Sequence, residues 1–197
     1  MQRVCMLEDD AKELYKNLMQ TKSDAGFLHL VGDVDKEISF CNFRLGRLLF
    51  PVDGRWYIAV INKMPDEVSK TIGSSFSLAQ IHFLKTVLEA IAMETDVEDG
   101  VGSIGSVTAS NLNFSQTQAL QATQAELGSQ GASQQLRLSV SEKDALLPRL
   151  VEEHWLATDP NNIGRYCIGV RSFLELKDYL LSLELPEDTR TAWERFL

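Results

Sequence analysis

Two strand-like runs separated by a tight-turn sequence constrain this chain more than any other feature. Cys41, Phe43 and Leu45 alternate with Asn42 and Arg44, and Trp56 to Ile61 is rich in aromatic and β-branched residues. Between them lies Pro51-Val52-Asp53-Gly54, a turn sequence in which glycine accepts positive φ without steric cost. Such runs on both sides of such a turn predict a β-hairpin. The flanking segments have the period of helices instead. Leu7, Ala11, Leu14, Tyr15 and Leu18 share one face over 7–19, and Phe27, Leu30, Val31, Val34 and Ile38 share one over 27–38. Downstream, Ser77-Leu78-Ala79-Gln80 has the residues of a capping box. The helix it opens carries Ile81, Leu84, Val87, Leu88 and Ile91 and is predicted to end near Thr95. Helix, helix, hairpin, helix is the order of a winged helix, which predicts a first winged-helix domain over 1–95.

The second half repeats this logic. Residues 96–113 read as an acidic, glycine-bearing linker with a short helix over 107–112. Residues 114–136 are dominated by Ser, Thr, Gln, Ala and Gly, and cannot bury enough apolar surface to offset their ordering entropy, so a flexible insertion is expected. Ser141 is expected to cap a helix carrying Ala145, Leu146, Leu150 and Val151, with Pro148 kinking or splitting it before His154-Trp155-Leu156. A turn cluster at Asp159 to Gly164 precedes a strand over 165–170, and Phe173, Leu176, Tyr179 and Leu180 space a closing helix. The remainder of a second winged-helix domain is thus predicted over 137–182, followed by a tail over 183–197. The fold class is mainly α with small β wings (α+β), as tandem winged-helix domains.

Chemistry narrows the function. The net charge of −9 repels phosphate backbones on average. Cys5, Cys41 and Cys167 lie far apart, so no zinc spacing can be read; Cys41 and Cys167 fall in strand-like runs and are expected as buried thiols in a reducing compartment. No apolar stretch reads as a secretory signal or a membrane span, so a soluble, non-secreted protein is expected. His29, His82 and His154 are scattered, and Gly102-Ser103-Ile104-Gly105 lacks the lysine of a phosphate loop, so no catalytic residues and no cofactor are assigned.

Three sets of surface residues remain. Leu48, Leu49 and Phe50 exceed simple alternation, and with Trp56 they are candidate partner contacts. Arg44, Arg47 and Arg55 flank the hairpin turn as candidate auxiliary phosphate contacts. Ser115, Thr117, Thr123, Ser129 and Ser133 are each followed by Gln, the dipeptide favoured by DNA-damage checkpoint kinases, although the composition of the segment explains most of the pattern. The predicted helix over 141–156 carries Glu142, Asp144, Glu152 and Glu153 against Lys143 and Arg149, an acidic surface for a groove-reading helix.

The runs YIAVIN, DEVSK and FSLAQIHFLKTVLEAI, followed by SEKDALLPRLVEEHWL and GRYCIGVRSFLELKDYL, resemble the non-SMC element 1 family of the SMC five/six complex. The resemblance covers most of the chain outside 114–138. It implies tandem winged helices followed by a RING-like zinc domain. It also implies pairing with a MAGE-type subunit (non-SMC element 3) and a kleisin (non-SMC element 4), indirect contact with the SMC heterodimer, and DNA contact mainly through partners. A nuclear, chromatin-associated role in DNA repair and recombination follows, with no membrane. The family's ubiquitin ligase activity resides in the RING, yet after Cys167 this sequence has neither Cys nor His. Zinc is therefore expected only with a RING elsewhere in the protein, and an opening helix of the family also looks missing. An independent winged-helix DNA-binding regulator is the rival reading, and a RING-type ligase the enzymatic one.

Metal analysis of the purified chain is expected to find no stoichiometric zinc, because its cysteines are too few and too separated for a tetrahedral site. One tightly held zinc per chain would contradict this reading.

Overall fold

The computed structural model describes residues 5–63, 76–94, 101–112 and 137–196. Its first unit runs β1 (Cys5–Leu7), α1 (Glu8–Met19), α2 (Phe27–Ser39), β2 (Phe43–Phe50) and β3 (Arg55–Asn62). The hairpin forms where the alternation predicts it, with Gly54 at φ 66° in the turn. β1 adds to the far side of β3, pairing Cys5 with Ala59 and Leu7 with Tyr57. The result is a three-stranded antiparallel sheet of order β1-β3-β2.

The second unit repeats this topology. After α3 (Leu78–Ala92) come β4 (Ser103–Gly105), α4 (Ser106–Asn111), α5 (Val140–Glu152), β5 (Leu156–Thr158) and β6 (Arg165–Ile168). Its antiparallel sheet has order β4-β6-β5, again with the first strand beside the last. The chain is therefore an α+β fold whose helices surround two small sheets. Among the described residues no helix is long and apolar enough to cross a membrane.

Several local expectations are corrected by packing. The capping box at Ser77 is present, its hydroxyl accepting from the Gln80 amide. The helix it opens does not close the first unit; it packs on β4, β6 and α5 of the second. Residues 103–105, expected within a linker, are a strand. In α5 the cap is Ser139 rather than Ser141: its amide donates to the Glu142 carboxylate at 2.8 Å, and hydrogen bonds from Ser139 hold that carboxyl below its ordinary range. α5 is not split at Pro148, because buried Leu146, Leu147 and Leu150 anchor the chain on both sides of it. Strand β6 stops at Ile168, and the closing helix is two short ones, α6 (Val170–Glu175) and α7 (Lys177–Ser182). Cys41 is exposed, whereas Cys5 and Cys167 are buried, with their thiols pushed up to about 12 by burial. Those two are inert packing groups at neutral pH.

The two faces of the first sheet have different fates. Cys5, Leu48, Phe50, Ala59 and Ile61 point to the back, where α6 lies across β2 and β3. Gly46 makes that approach possible: a Cβ there would come within 2.2 Å of Ile61 Cδ1 and 3.1 Å of Leu174 Cδ2. One continuous cluster runs from these residues through Leu88, Leu150, Ile168 and Phe173. The front face lies under α1 and α2 and is much less completely covered.

Residues expected as a tail supply α8 (Glu187–Phe196), whose Trp193 is fully buried edge-on to Phe173 at 5.5 Å. Arg190 ties this helix to the end of α7 through the carbonyls of Leu181 and Leu183. Trp193→Ala removes a large side chain from the shared core and is expected to cost about 3–5 kcal/mol. Urea denaturation followed by circular dichroism should show one transition at a lower midpoint; an unchanged midpoint would mean that α8 merely decorates the core.

Candidate partner-docking surface

Antiparallel pairing places Leu49 directly opposite Trp56 on the front face of the hairpin. Both are exposed, at 42% and 45%. A leucine–tryptophan pair in that register forms one continuous apolar patch. Phe43 and Val60 extend exposed apolar surface along the same face. Leu48 and Phe50, predicted with them as partner contacts, belong to the core instead: strand alternation turns both to the back face, where they are 2% and 4% exposed.

The patch is held by charge. The Arg47 guanidinium lies 4.6 Å from the centre of the Trp56 ring, and its Nε donates to Glu8 at 2.7 Å. Lys12 reaches the same carboxylate at 3.1 Å. Glu8 is only 4% exposed, so an unpaired charge there would be costly. Burial pushes its carboxyl up, but the hydrogen bonds from Arg47 and Lys12 outweigh that and hold it below 4.5. Arg47 thus links the start of α1 to the aromatic ring of the hairpin.

The three arginines predicted as phosphate contacts do not form one strip. Arg44 pairs across from Ile61 and Arg55 from Phe50, on the back-face side, while Arg47 is on the front. Arg47 is already engaged with Glu8. The turn is ordered by Asp53, which accepts from the Arg55 amide at 2.9 Å and the Tyr57 hydroxyl at 2.7 Å.

On the second unit, one basic residue of α5 turns inward and the other stays exposed at the surface. Lys143 is buried and donates to the Leu112 carbonyl at 2.7 Å, near the Phe83 ring, and Arg149 lies over Phe76. The charge left outward on this helix is mainly acidic, which opposes insertion into a nucleic-acid groove. His154 is exposed just beyond the helix at φ 63°, and its carbonyl accepts from the Arg171 amide. It serves the backbone here; nothing places it as a base.

A buried ionic group lies beneath. Arg171 of α6 is 6% exposed, stacks 4.2 Å from the Trp155 ring centre, and pairs with Glu175 and, at 3.6 Å, with Glu153. It joins α6 to the end of α5. The Arg171–Glu175 pair has the i,i+4 spacing of a helix, but no spacing signals the contacts with Glu153 and Trp155, nor the Glu8–Arg47 pair, whose members are 39 positions apart. Among the described residues no cluster of His, Cys, Asp or Glu could hold a metal ion. The Ser/Thr-Gln positions Ser115, Thr117, Thr123, Ser129 and Ser133, and the DEVSK run, lie outside the described residues.

The front face is concave between its two helices. Between α1, α2 and the sheet runs an open apolar groove of about 190 Å³, lined by Leu14, Leu18, Val31, Val34, Leu45 and Val60 among others. Leu14 and Leu18 on its rim are 50% and 68% exposed.

Comparison with known proteins gives a family match and matches among solved structures. The profile of the family described as Nse1 non-SMC component of SMC5-6 complex matches residues 1–176. A solved chain from an Nse1-Nse3-Nse4 complex superposes with a TM-score of 0.65 and 18% identity, over 91% of this chain and 68% of that one. At that identity the likeness is one of fold. No curated protein matches.

The Glu8 carboxyl carries a pH signature. Because its folded value is depressed, its contribution is complete above the ordinary glutamate value and is lost as pH falls through the folded one. Glu8→Gln is expected to lower stability at neutral pH and to flatten the acid limb below 4.5. Urea midpoints measured across that range would check it; parallel curves for the two proteins would show that the pair contributes nothing.

Proposed function

The chain belongs to the family of Nse1 non-SMC components of the SMC5-6 complex, and we propose that it acts there as a non-catalytic interaction subunit that pairs with the MAGE-type Nse3 and the kleisin Nse4. The observation that carries the pairing is the exposed Leu49–Trp56 pair, pinned by Arg47 in a fixed orientation. Large pre-oriented aromatic and aliphatic groups are what interface anchors are made of. The structurally similar chain comes from an Nse1-Nse3-Nse4 complex, which supports the same partners. Each unit has the strand–helix–helix–hairpin order and sheet order of a winged helix, and we divide the chain accordingly, with α3 in the second unit. Through such a complex the protein would serve chromosome maintenance and DNA repair in the nucleus, on chromatin.

The rival reading, an independent DNA-binding regulator, is disfavoured by the net charge of −9 and by the inward-turned Lys143. RING-type ligase chemistry needs zinc ligands. None follow Cys167 in these 197 residues, so no catalytic step is assigned to them.

Co-expression with Nse3 and Nse4 tests the proposal. Trp56→Ala and Leu49→Ala should weaken pairing roughly tenfold or more while leaving the melting temperature nearly unchanged, since both side chains are exposed. Full pairing by both variants would remove the hairpin as the contact, and absence of pairing by the unmodified chain would remove the partner assignment.

A further inference from the structure

The exposed Trp56 ring is steadied through a residue that lies out of a partner's reach. Glu8 opens α1 directly after Leu7, which pairs with Tyr57 of β3. That register brings Glu8 level with Trp56, the residue before Tyr57. Arg47 starts from β2, on the other side of β3, and reaches the same carboxylate. Its side chain therefore spans β3, and its guanidinium lies 4.6 Å from the centre of the Trp56 ring. One Glu8 oxygen, Oε2, accepts from Arg47 Nε at 2.7 Å, while Oε1 faces Lys12 Nζ at 3.1 Å. With both oxygens engaged, the carboxylate cannot turn without giving up a partner. The Glu8 side chain is 5% exposed, against 45% for Trp56.

We propose that Glu8 is a positioning residue for pairing: buried and outside the contact, it fixes the Arg47 guanidinium against the Trp56 ring and so presents that ring as a pre-set anchor. This rests on the reading that the Leu49–Trp56 pair is the partner contact. The ground is conformational entropy. Long side chains that are free before association must be immobilised during it, which lowers affinity about two- to tenfold for each. The charge-assisted bond to Glu8 orders Arg47 in the free chain already, and Arg47 in turn orders the ring. The flat guanidinium matters as much as the charge, because a lysine ammonium cannot stack on the indole in the same way.

Calorimetric titration of purified Nse3–Nse4 into the full chain provides the test, at a temperature well below the melting transition of every variant. Glu8→Gln should weaken pairing about two- to tenfold. It should also move the indole N–H resonance of Trp56, identified by its loss in Trp56→Ala, while leaving those of buried Trp155 and Trp193 in place. In a Trp56→Ala background the Glu8 change should have no further effect, since the two residues act as one unit. Arg47→Lys keeps a cation for Glu8 but loses the plane, and should weaken pairing to a similar extent; it carries the same test if Glu8→Gln folds poorly. Unchanged pairing in Glu8→Gln and Arg47→Lys, with Trp56→Ala weakened, would overturn this inference and leave the hairpin contact standing. An equal loss on changing Glu8 with and without Trp56 would overturn it too, by reducing Glu8 to a general stabiliser. Full pairing by Trp56→Ala would remove the hairpin contact and this inference together.

Discussion

The approach of α6 to the back of the first sheet is the contact on which the rest of the structure depends. It requires a glycine at position 46, since a side chain there would collide with Ile61 and crowd Leu174. Once made, it places Leu48, Phe50, Ala59 and Ile61 in the same cluster as Phe173 and Trp193. A unit of some sixty residues has little interior of its own and stays marginal without help. By turning the back of one sheet into the lid of the other unit's core, the chain solves that problem for both. The front face, covered only in part by α1 and α2, leaves Phe43, Leu49, Trp56 and Val60 exposed.

Much of this was legible in the sequence, and the failures share one cause. The hairpin, α1, α2 and α3 were readable because each has enough residues to establish a period, and the box at Ser77 marks a start without ambiguity. Ser139 and Ser141 are each followed three positions later by an acid, so composition alone could not choose between caps; the packing of α5 does. β1 and β4 have three residues each, too few for alternation to be recognised. The packing of α3 on the second sheet is not legible in the sequence, because periodicity reports the width of an apolar face and not what covers it. Trp193 stood alone in a polar segment, with no repeat to reveal that α8 enters the core.

The candidate site was half legible. Four large apolar groups at 48–50 and 56 were noticed as an excess, and strand alternation sorts them: Leu48 and Phe50 inward, Leu49 and Trp56 outward. The arginines were noticed by type, but their partners are long-range and invisible in one dimension. Arg47 finds Glu8, and Lys143 finds the Leu112 carbonyl and the Phe83 ring. Both cations are thereby withdrawn from the phosphate-binding role that composition would offer them.

Arg47 has a further consequence. It touches the Trp56 ring with its charge and the first residue of α1 with its hydrogen bond, and α1 is one wall of the groove. A ligand that draws Trp56 away from the guanidinium alters the strength of the Glu8 contact, and a ligand that shifts α1 alters the hold on Trp56. A partner seated on the hairpin and any contact that shifts α1 would therefore sense each other through a single side chain. By thermodynamic reciprocity, whatever one does to the affinity of the other is returned in equal measure.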